Sequence, residues 1–429
     1  MSTAAIYLIL LPFAVFLIIG MPVAFTLIAT SAIYLAAKGI PFDLIAHRLC
    51  FSLDSFPLMA IPLFILAGKL MNIGGISDRI YNFASAVVGH IRGGLGHVNI
   101  VGSVIFAGMS GTALADLGGM GQMEVRAMTN AGYKKDFSAA ITLASATIGP
   151  IIPPSVPFII YGTLAEVSVT KLFLAGFLPG IVMALMLGVS VYFYATKHNC
   201  PTTPRPSMKG IGSAFLEALP AMLSPAIIIG GMMTGIFSPT EAAGIAVVYA
   251  LFLGGLVYKE LTFAKLAEIT KETVEASAML MFIIASALLF SWVISVERIP
   301  QMLAQWIMMV GDTPFKFMTL VVIILSILGM FMENNAIMLL MIPILVPSAV
   351  TLGIDPVHLG VVMCLCITVG LLTPPIGLAL YVMQDIADLS FGRTVKAVTP
   401  FLITLFISLL LITYIPQITM FLPNLLLGK

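Results

Sequence analysis

The chain has 429 residues, 60% of them hydrophobic and only 9% charged, with a net charge of +1 and a mean hydropathy of +1.11. A soluble domain carries about a quarter of its residues as charges, so this composition excludes an ordinary soluble fold and, with no basic excess, a role on nucleic acid. It specifies an all-α integral membrane protein, because the apolar runs are continuous and lack the alternation of barrel strands.

In chain order, runs at 4–19, 173–195, 243–258, 276–296, 317–332 and 397–415 cross or nearly cross a hydrocarbon core of about 30 Å. The first has no basic leader or small-residue cleavage site and reads as a retained transmembrane helix. From Gly108 to Arg126 the sequence GMSGTALADLGGMGQMEVR is too polar and glycine-rich to span, yet follows an apolar half-span. It predicts the tip of a re-entrant helical hairpin over about 95–125; the other reading is a short loop between two full helices. TIGPIIPP at 147–154 then predicts a proline-broken helix over about 138–164, since each proline removes an N–H and collides with the preceding turn. The polar, proline-rich KHNCPTTPRPSMKG at 197–210 reads as a linker. Beyond it, GMFMENNAIML at 329–339 marks a second hairpin tip, in a hairpin of about 315–350, and TVGLLTPP at 368–375 a second broken helix of about 357–385. Cys50, Cys200, Cys364 and Cys366 are scattered among apolar residues and read as packing rather than metal ligands.

The two proline breaks lie 221 residues apart, and the same offset relates Gly108-Met109 to Gly329-Met330, Gly132 to Gly353 and Phe42 to Phe263. The chain therefore divides into two similar halves, 1–208 and 209–429. Short basic loops favour the cytoplasm, which places Lys197, Arg205, Lys209, Lys259, Lys265 and Lys271 there, together with the flanks of the first hairpin (Arg92, Arg126, Lys134, Lys135). The flanks of the second hairpin carry only Lys316 and fall outside. The halves are expected to be inverted repeats, an arrangement of secondary transporters that bind at the repeat interface.

The breaks carry chemistry. Prolines 153 and 154 are expected to strand the carbonyls of Gly149 and Pro150, and prolines 374 and 375 those of Gly370 and Leu371. Such oxygens suit a dehydrated small cation, with the hydroxyls of Thr147, Thr368 and Thr373 nearby. The alternative is a pair of kinks relieved by water or neighbouring helices. Ser110-Gly111-Thr112 and Asn334-Asn335 are helix-capping types, expected to turn the positive ends of the second hairpin arms towards a substrate carboxylate. Asp116 and Glu333 are the intramembrane acids nearest the tips and are functional candidates by position; for Glu333 a purely structural cap is the other reading. Glu166, Glu241 and Asp385 sit nearer helix ends.

SFPLMAIPLFILAGKLMNIGGI (55–76), GHIRGGLGHVNIVGSVIFAGMSGTALAD (89–116), TIGPIIPPS (147–155) and TVGLLTPPIG (368–377) resemble the large membrane subunit of the tripartite ATP-independent periplasmic (TRAP) transporters, nearly end to end. The resemblance implies sodium-driven import of an organic acid by an elevator mechanism, with a small membrane subunit and a periplasmic binding protein that delivers the substrate. Because the chain opens directly on the large-subunit pattern, the small subunit is expected as a separate polypeptide. By the same resemblance, sodium and the acid are expected at Ser110, Gly111, Thr112, Gly149, Pro150, Glu333, Asn334, Gly370 and Thr373; with Asp116 and Asn335 added from their position at the tips, substrate is expected at Ser110, Gly111, Thr112, Asp116, Asn334 and Asn335, and sodium at Ser110, Gly149, Pro150, Glu333, Gly370 and Thr373. GGMGQMEVRAM (118–128) looks more like the sialic acid members than the C4-dicarboxylate ones. Two other readings are a stand-alone ion-coupled carboxylate carrier and an intramembrane enzyme. The second has no H-E-x-x-H or G-x-S-x-G to rest on, and no P-loop supports an ATP-driven pump.

Overall fold

The computed structural model describes residues 3–73, 75–198, 200–202 and 206–428; Arg205, one of the linker charges, lies outside them. Every regular element among the described residues is a helix. The first half contains α1 (Thr3–Ile18), α2 (Val23–Lys38), α3 (Asp43–Phe51), α4 (Ala60–Ile73), α5 (Ile76–Val88), α6 (Gly94–Ser110), α7 (Ala113–Asp116), α8 (Gln122–Asn130), α9 (Lys135–Ala146), α10 (Val156–Leu164) and α11 (Val169–His198). The second contains α12 (Met208–Met233), α13 (Pro239–Phe252), α14 (Phe263–Val296), α15 (Ile299–Val310), α16 (Pro314–Gly329), α17 (Asn334–Thr351), α18 (Pro356–Gly370), α19 (Leu378–Ala387), α20 (Phe391–Tyr414) and α21 (Pro416–Leu427).

Six described helices are long and apolar enough to cross a membrane alone: α11, α12, α13 with its extension to Val257, α14, α17 and α20. Two runs read as near-spans are shorter. The run at 4–19 gives an apolar helix of Tyr7–Ile18, and that at 317–332 lies in α16 only as far as Gly329, where that 16-residue helix ends. At about 1.5 Å per residue α16 covers only about 24 Å, short of a full span.

The helix bounds recur along the chain. Ala113 and Asn334 open the second hairpin arms at the 221-residue offset, and Asn130 and Thr351 close them at the same offset. One departure has a visible cause. The stretch 43–73 is bent by 68° between α3 and the helix from Phe56, where Pro57 and Pro62 stand. Their counterparts are Ala278 and Ile283, and there α14 runs unbroken for 34 residues.

At the centre lie α9 and α18. Phe137–Ala146 are all buried, and so is every residue of α18 after Pro356; helices apolar on all sides belong in a core. The halves interlock: α9 packs on α20 and α18 on α11, while α17 packs on α10 and the arm α7–α8 on α19. Each hairpin's second arm thus leans on the helix that follows the break in the opposite half.

Candidate functional site

At the first hairpin α6 stops because Gly111 adopts φ 66°, a left-handed conformation that glycine takes without steric cost. Thr112 then caps α7, its hydroxyl oxygen accepting the Ala115 N–H at 3.2 Å. The arms turn through 120° about this tip. The tip rests on the break of its own half: Val156 N–H donates to the Gly111 carbonyl at 3.4 Å, and a Cβ on Gly111 would lie 2.6 Å from the Pro154 carbonyl oxygen. Behind it Asp116 is buried and accepts the Ser110 hydroxyl through Oδ1. Its Oδ2 has no donor among the described residues and lies against Gly149, where a Cβ would come within 2.5 Å.

At the second hairpin the capping expectation is corrected. Glu333 and not Asn334 caps α17: its Oε2 accepts the Ala336 N–H at 3.1 Å, and its Oε1 accepts Asn335 Nδ2 at 2.7 Å. A carboxylate reaches the free N–H groups of the first turn and balances the positive helix end. Here too the tip bonds to its own break, with Gly377 N–H donating to the Met330 carbonyl at 3.1 Å.

The breaks fall at 147–155 and 371–377, with cis bonds at Pro153-Pro154 and Pro374-Pro375. Of the four carbonyls expected to be stranded, three have donors. Pro150 accepts the Ser155 hydroxyl at 2.5 Å, Gly370 the Thr373 N–H at 2.8 Å and Leu371 the Ala379 N–H at 3.2 Å. Each break doubles back on itself, which brings N–H and hydroxyl groups to the oxygens the prolines cannot serve. The Gly149 carbonyl alone of the four receives no donor among the described residues. The hydroxyls of Thr147, Thr368 and Thr373 donate back to Ala144, Cys364 and Val369 at 2.6, 2.7 and 2.8 Å, which leaves their lone pairs open.

Tips and breaks converge on one cavity of about 570 Å³. Ser110, Thr112, Pro150, Glu333, Asn334 and Asn335 line it, whereas Gly111, Asp116, Gly149 and Gly370 are buried outside the lining and the half-buried Thr373 is also outside it. The Oδ1 atoms of Asn334 and Asn335 are buried without a donor among the described residues.

Lys69, Asn72 and Glu272 complete the polar part of the wall and were not singled out in the sequence. Lys69 and Asn72 share a face of α4, Glu272 lies on α14, and Lys69 Nζ meets Glu272 Oε2 at 2.6 Å. An intramembrane lysine was the available signal; its partner 203 residues away had none. Glu124 was also passed over. It is buried beside Asn99 and Thr142, in a network where Asn99 bonds Thr142 and Ser145, each at 2.6 Å. Among the described residues no group of three or more His, Cys, Asp or Glu side chains could hold a metal ion.

The family described as the DctM component of tripartite ATP-independent periplasmic transporters matches residues 10–418. The chain is 45% identical over 412 residues to the sialic acid TRAP transporter large permease protein SiaM of Vibrio cholerae, covering 95% of this chain and 96% of that one. It is 41% identical to the sialic acid TRAP transporter permease protein SiaT of Haemophilus influenzae, over 99% of this chain and 69% of that protein. To the C4-dicarboxylate TRAP transporter large permease protein DctM of Pseudomonas aeruginosa it is 40% identical over 89% of each. In fold alone it resembles the solved YdaH transporter of Alcanivorax borkumensis, with a TM-score of 0.61 and 14% identity over 87% of both chains.

Proposed function

The chain belongs to the TRAP transporter large-permease family, a multi-pass transport protein of the bacterial inner membrane and not an enzyme, and from that premise we propose that it imports an organic acid, sialic acid in first place, coupled to sodium. TRAP systems work with a small membrane subunit and a periplasmic binding protein; here the small subunit is taken to be a separate chain and the binding protein to hand over the acid.

The observation that carries the reading is the convergence of both hairpin tips and both breaks on a single cavity of about 570 Å³, a size suited to a small organic ligand. In the first half sodium would be held by Ser110, the Gly149 carbonyl and Asp116 Oδ2; Asp116, expected from the sequence on the substrate, is assigned to the cation instead because it lies outside the cavity lining and against Gly149, and it and the Gly149 carbonyl have oxygens without a donor among the described residues. Pro150, Glu333, Gly370 and Thr373 supply further oxygens, all of which already take part in hydrogen bonds. Irregular backbone at membrane depth is tolerable where it lines such a protein-enclosed site. The matching helix bounds support two repeats, 1–208 and 209–429. We take them as inverted, with the hairpins and broken helices moving together past the remaining helices as an elevator. Sialic acid is favoured over C4-dicarboxylates by the identities of 45% against 40%.

The test is uptake of labelled sialic acid and labelled succinate into proteoliposomes containing the chain, its small subunit and the loaded binding protein. Sialic acid should accumulate only with an inward sodium gradient. Accumulation driven equally by a proton gradient in sodium-free buffer would remove sodium from the account, and succinate uptake in its place would remove sialic acid.

A further inference from the structure

We propose that Lys69 anchors the carboxylate of the substrate and that Glu272 holds its place while the cavity is empty, so that the cavity selects monocarboxylates bearing hydroxyl or amide donors over dicarboxylates. The assignment rests on the cavity being the substrate site, as proposed above.

Charge sets the first constraint. Among the described residues that line the cavity, Lys69 is the single cation, and the acids are Glu272 and Glu333. Glu333 is held in place by the Ala336 N–H at one oxygen and the Asn335 amide at the other. A ligand with one carboxylate therefore finds one partner. A second carboxylate would find no second cationic side chain among the described lining residues, and the displaced Glu272 would repel it.

The ion pair is also built to open. Lys69 and Glu272 join two walls, α4 and α14, at 2.6 Å, yet their side chains keep 31% and 51% of their exposure. A pair that keeps this much exposure is held less tightly than a fully buried one, so exchanging the Glu272 carboxylate for that of a ligand costs less. The strongly buried pairing that would resist exchange is absent from this contact.

Asn334 and Asn335 supply acceptors to the same cavity. Asn335 donates its amide nitrogen to Glu333, which fixes the side chain and leaves Oδ1 without a donor; Asn334 Oδ1 is likewise unpaired among the described residues. Buried acceptors call for donors, and hydroxyl or amide groups on the ligand provide them. Phe106, Leu280 and Ile283 offer apolar surface for the carbon skeleton between.

Binding is measured by titrating sialic acid, and separately succinate, into the chain reconstituted with its small subunit in saturating sodium, without binding protein. Lys69→Gln should raise the Kd for sialic acid roughly tenfold or more, as expected when a charge-assisted hydrogen bond is lost. Glu272→Gln should lower that Kd, because the competitor for Lys69 is gone, and Glu272→Lys should gain succinate binding. Loss of affinity in both the Lys69→Gln and Glu272→Gln variants would identify a merely structural pair and overturn the assignment, as would an unchanged Kd in Lys69→Gln or equal wild-type affinity for the two acids. Should Lys69→Gln fail to fold, Glu272→Gln decides alone, since it must tighten binding. A wild type that binds sialic acid but ignores both substitutions refutes Lys69 only, whereas a wild type that binds neither acid refutes the parent reading along with it.

Discussion

Gly329 and Gly370 meet backbone to backbone: a Cβ on Gly370 would lie 2.6 Å from the Gly329 Cα, and one on Gly329 would lie 3.0 Å from the Gly370 Cα. The first ends the arm α16 and the second ends α18, so the hairpin closes on the start of the break with no side chain between. Gly370→Ala should therefore lower thermal stability by about 1–3 kcal/mol, the usual cost of overpacking. Gly392→Ala is the control. It lies in the first turn of α20 with nothing within 4 Å, and alanine there should be neutral or stabilising by up to about 1 kcal/mol. Equal melting temperatures for the two variants would show that the glycine contact is loose.

Ser155 does two jobs at the first break. Fully buried, it donates to the Pro150 carbonyl at 2.5 Å and caps α10 by accepting the Phe158 N–H at 3.3 Å. Ser155→Ala should cost about 1–3 kcal/mol, since it removes a cap and leaves a buried carbonyl short of a donor. The same offset leads to Ile376, which has no hydroxyl to give, and Ile376→Ala should cost less because that side chain is about a third exposed. Chemical denaturation of both variants orders the two costs, and a larger loss at Ile376 would reverse the argument.

The places where helices stop were readable from local chemistry. Paired prolines, Gly111 and Thr112 each act on the backbone within a turn, and the sequence states them directly. The fate of the freed groups was not readable in the same way. Ser155 bonds Pro150 only because the break folds back, and Ile376 at the matching position shows that the repeat does not carry this detail. Glu333 took the cap from Asn334 by one residue, a margin that capping preferences do not resolve. Lys69 and Glu272 are distant in sequence and meet only through the packing of α4 against α14. Asp116 was legible as an intramembrane acid, but its depth behind Ser110 depends on the turn at Gly111.

Glu297 joins α14 to α2 outside the apolar spans. Its Oε1 lies 2.7 Å from Lys38 Nζ and accepts the Tyr34 hydroxyl at 2.8 Å. The Lys38 ammonium first, and the Tyr34 hydroxyl second, hold its carboxyl below the ordinary glutamate value of 4.5. A depressed folded-state value means that the stabilisation is complete above pH 4.5 and is lost as pH falls through the lower folded value. Glu297→Gln should melt below wild type at pH 7 and converge on it in acid well under pH 4.5. A gap that persists unchanged into acid would mean that shape, and not charge, makes the contact.

The orientation of the halves is open to thiol labelling. In a background lacking Cys50 and Cys200, Lys209→Cys should react with an impermeant reagent only from the cytoplasm and Thr351→Cys only from the periplasm; both positions are exposed. The basis is the basic linker against the flanks of the second hairpin, whose one basic residue is Lys316. Reaction of both from one side would rule out the inverted arrangement.

Asp116 offers the sharpest test of the sodium reading. Its counterpart at the 221-residue offset is Ile337, so the first half keeps a buried carboxylate where the second packs a hydrocarbon. An unpaired buried charge costs several kcal/mol, and the Ser110 hydroxyl alone satisfies one of its two oxygens. If a sodium ion completes the balance, Asp116→Asn keeps the shape, removes the charge and makes the sodium-free protein at least as stable as wild type. The stabilisation by sodium, which for one site grows as RT ln(1 + [L]/Kd), should shrink in the same variant. Melting temperatures across a sodium titration, with choline holding ionic strength constant, separate this from a structural role. A purely structural Asp116 would give a lower sodium-free melting temperature and an unchanged sodium response, and that outcome would move the cation away from Ser110, Asp116 and Gly149.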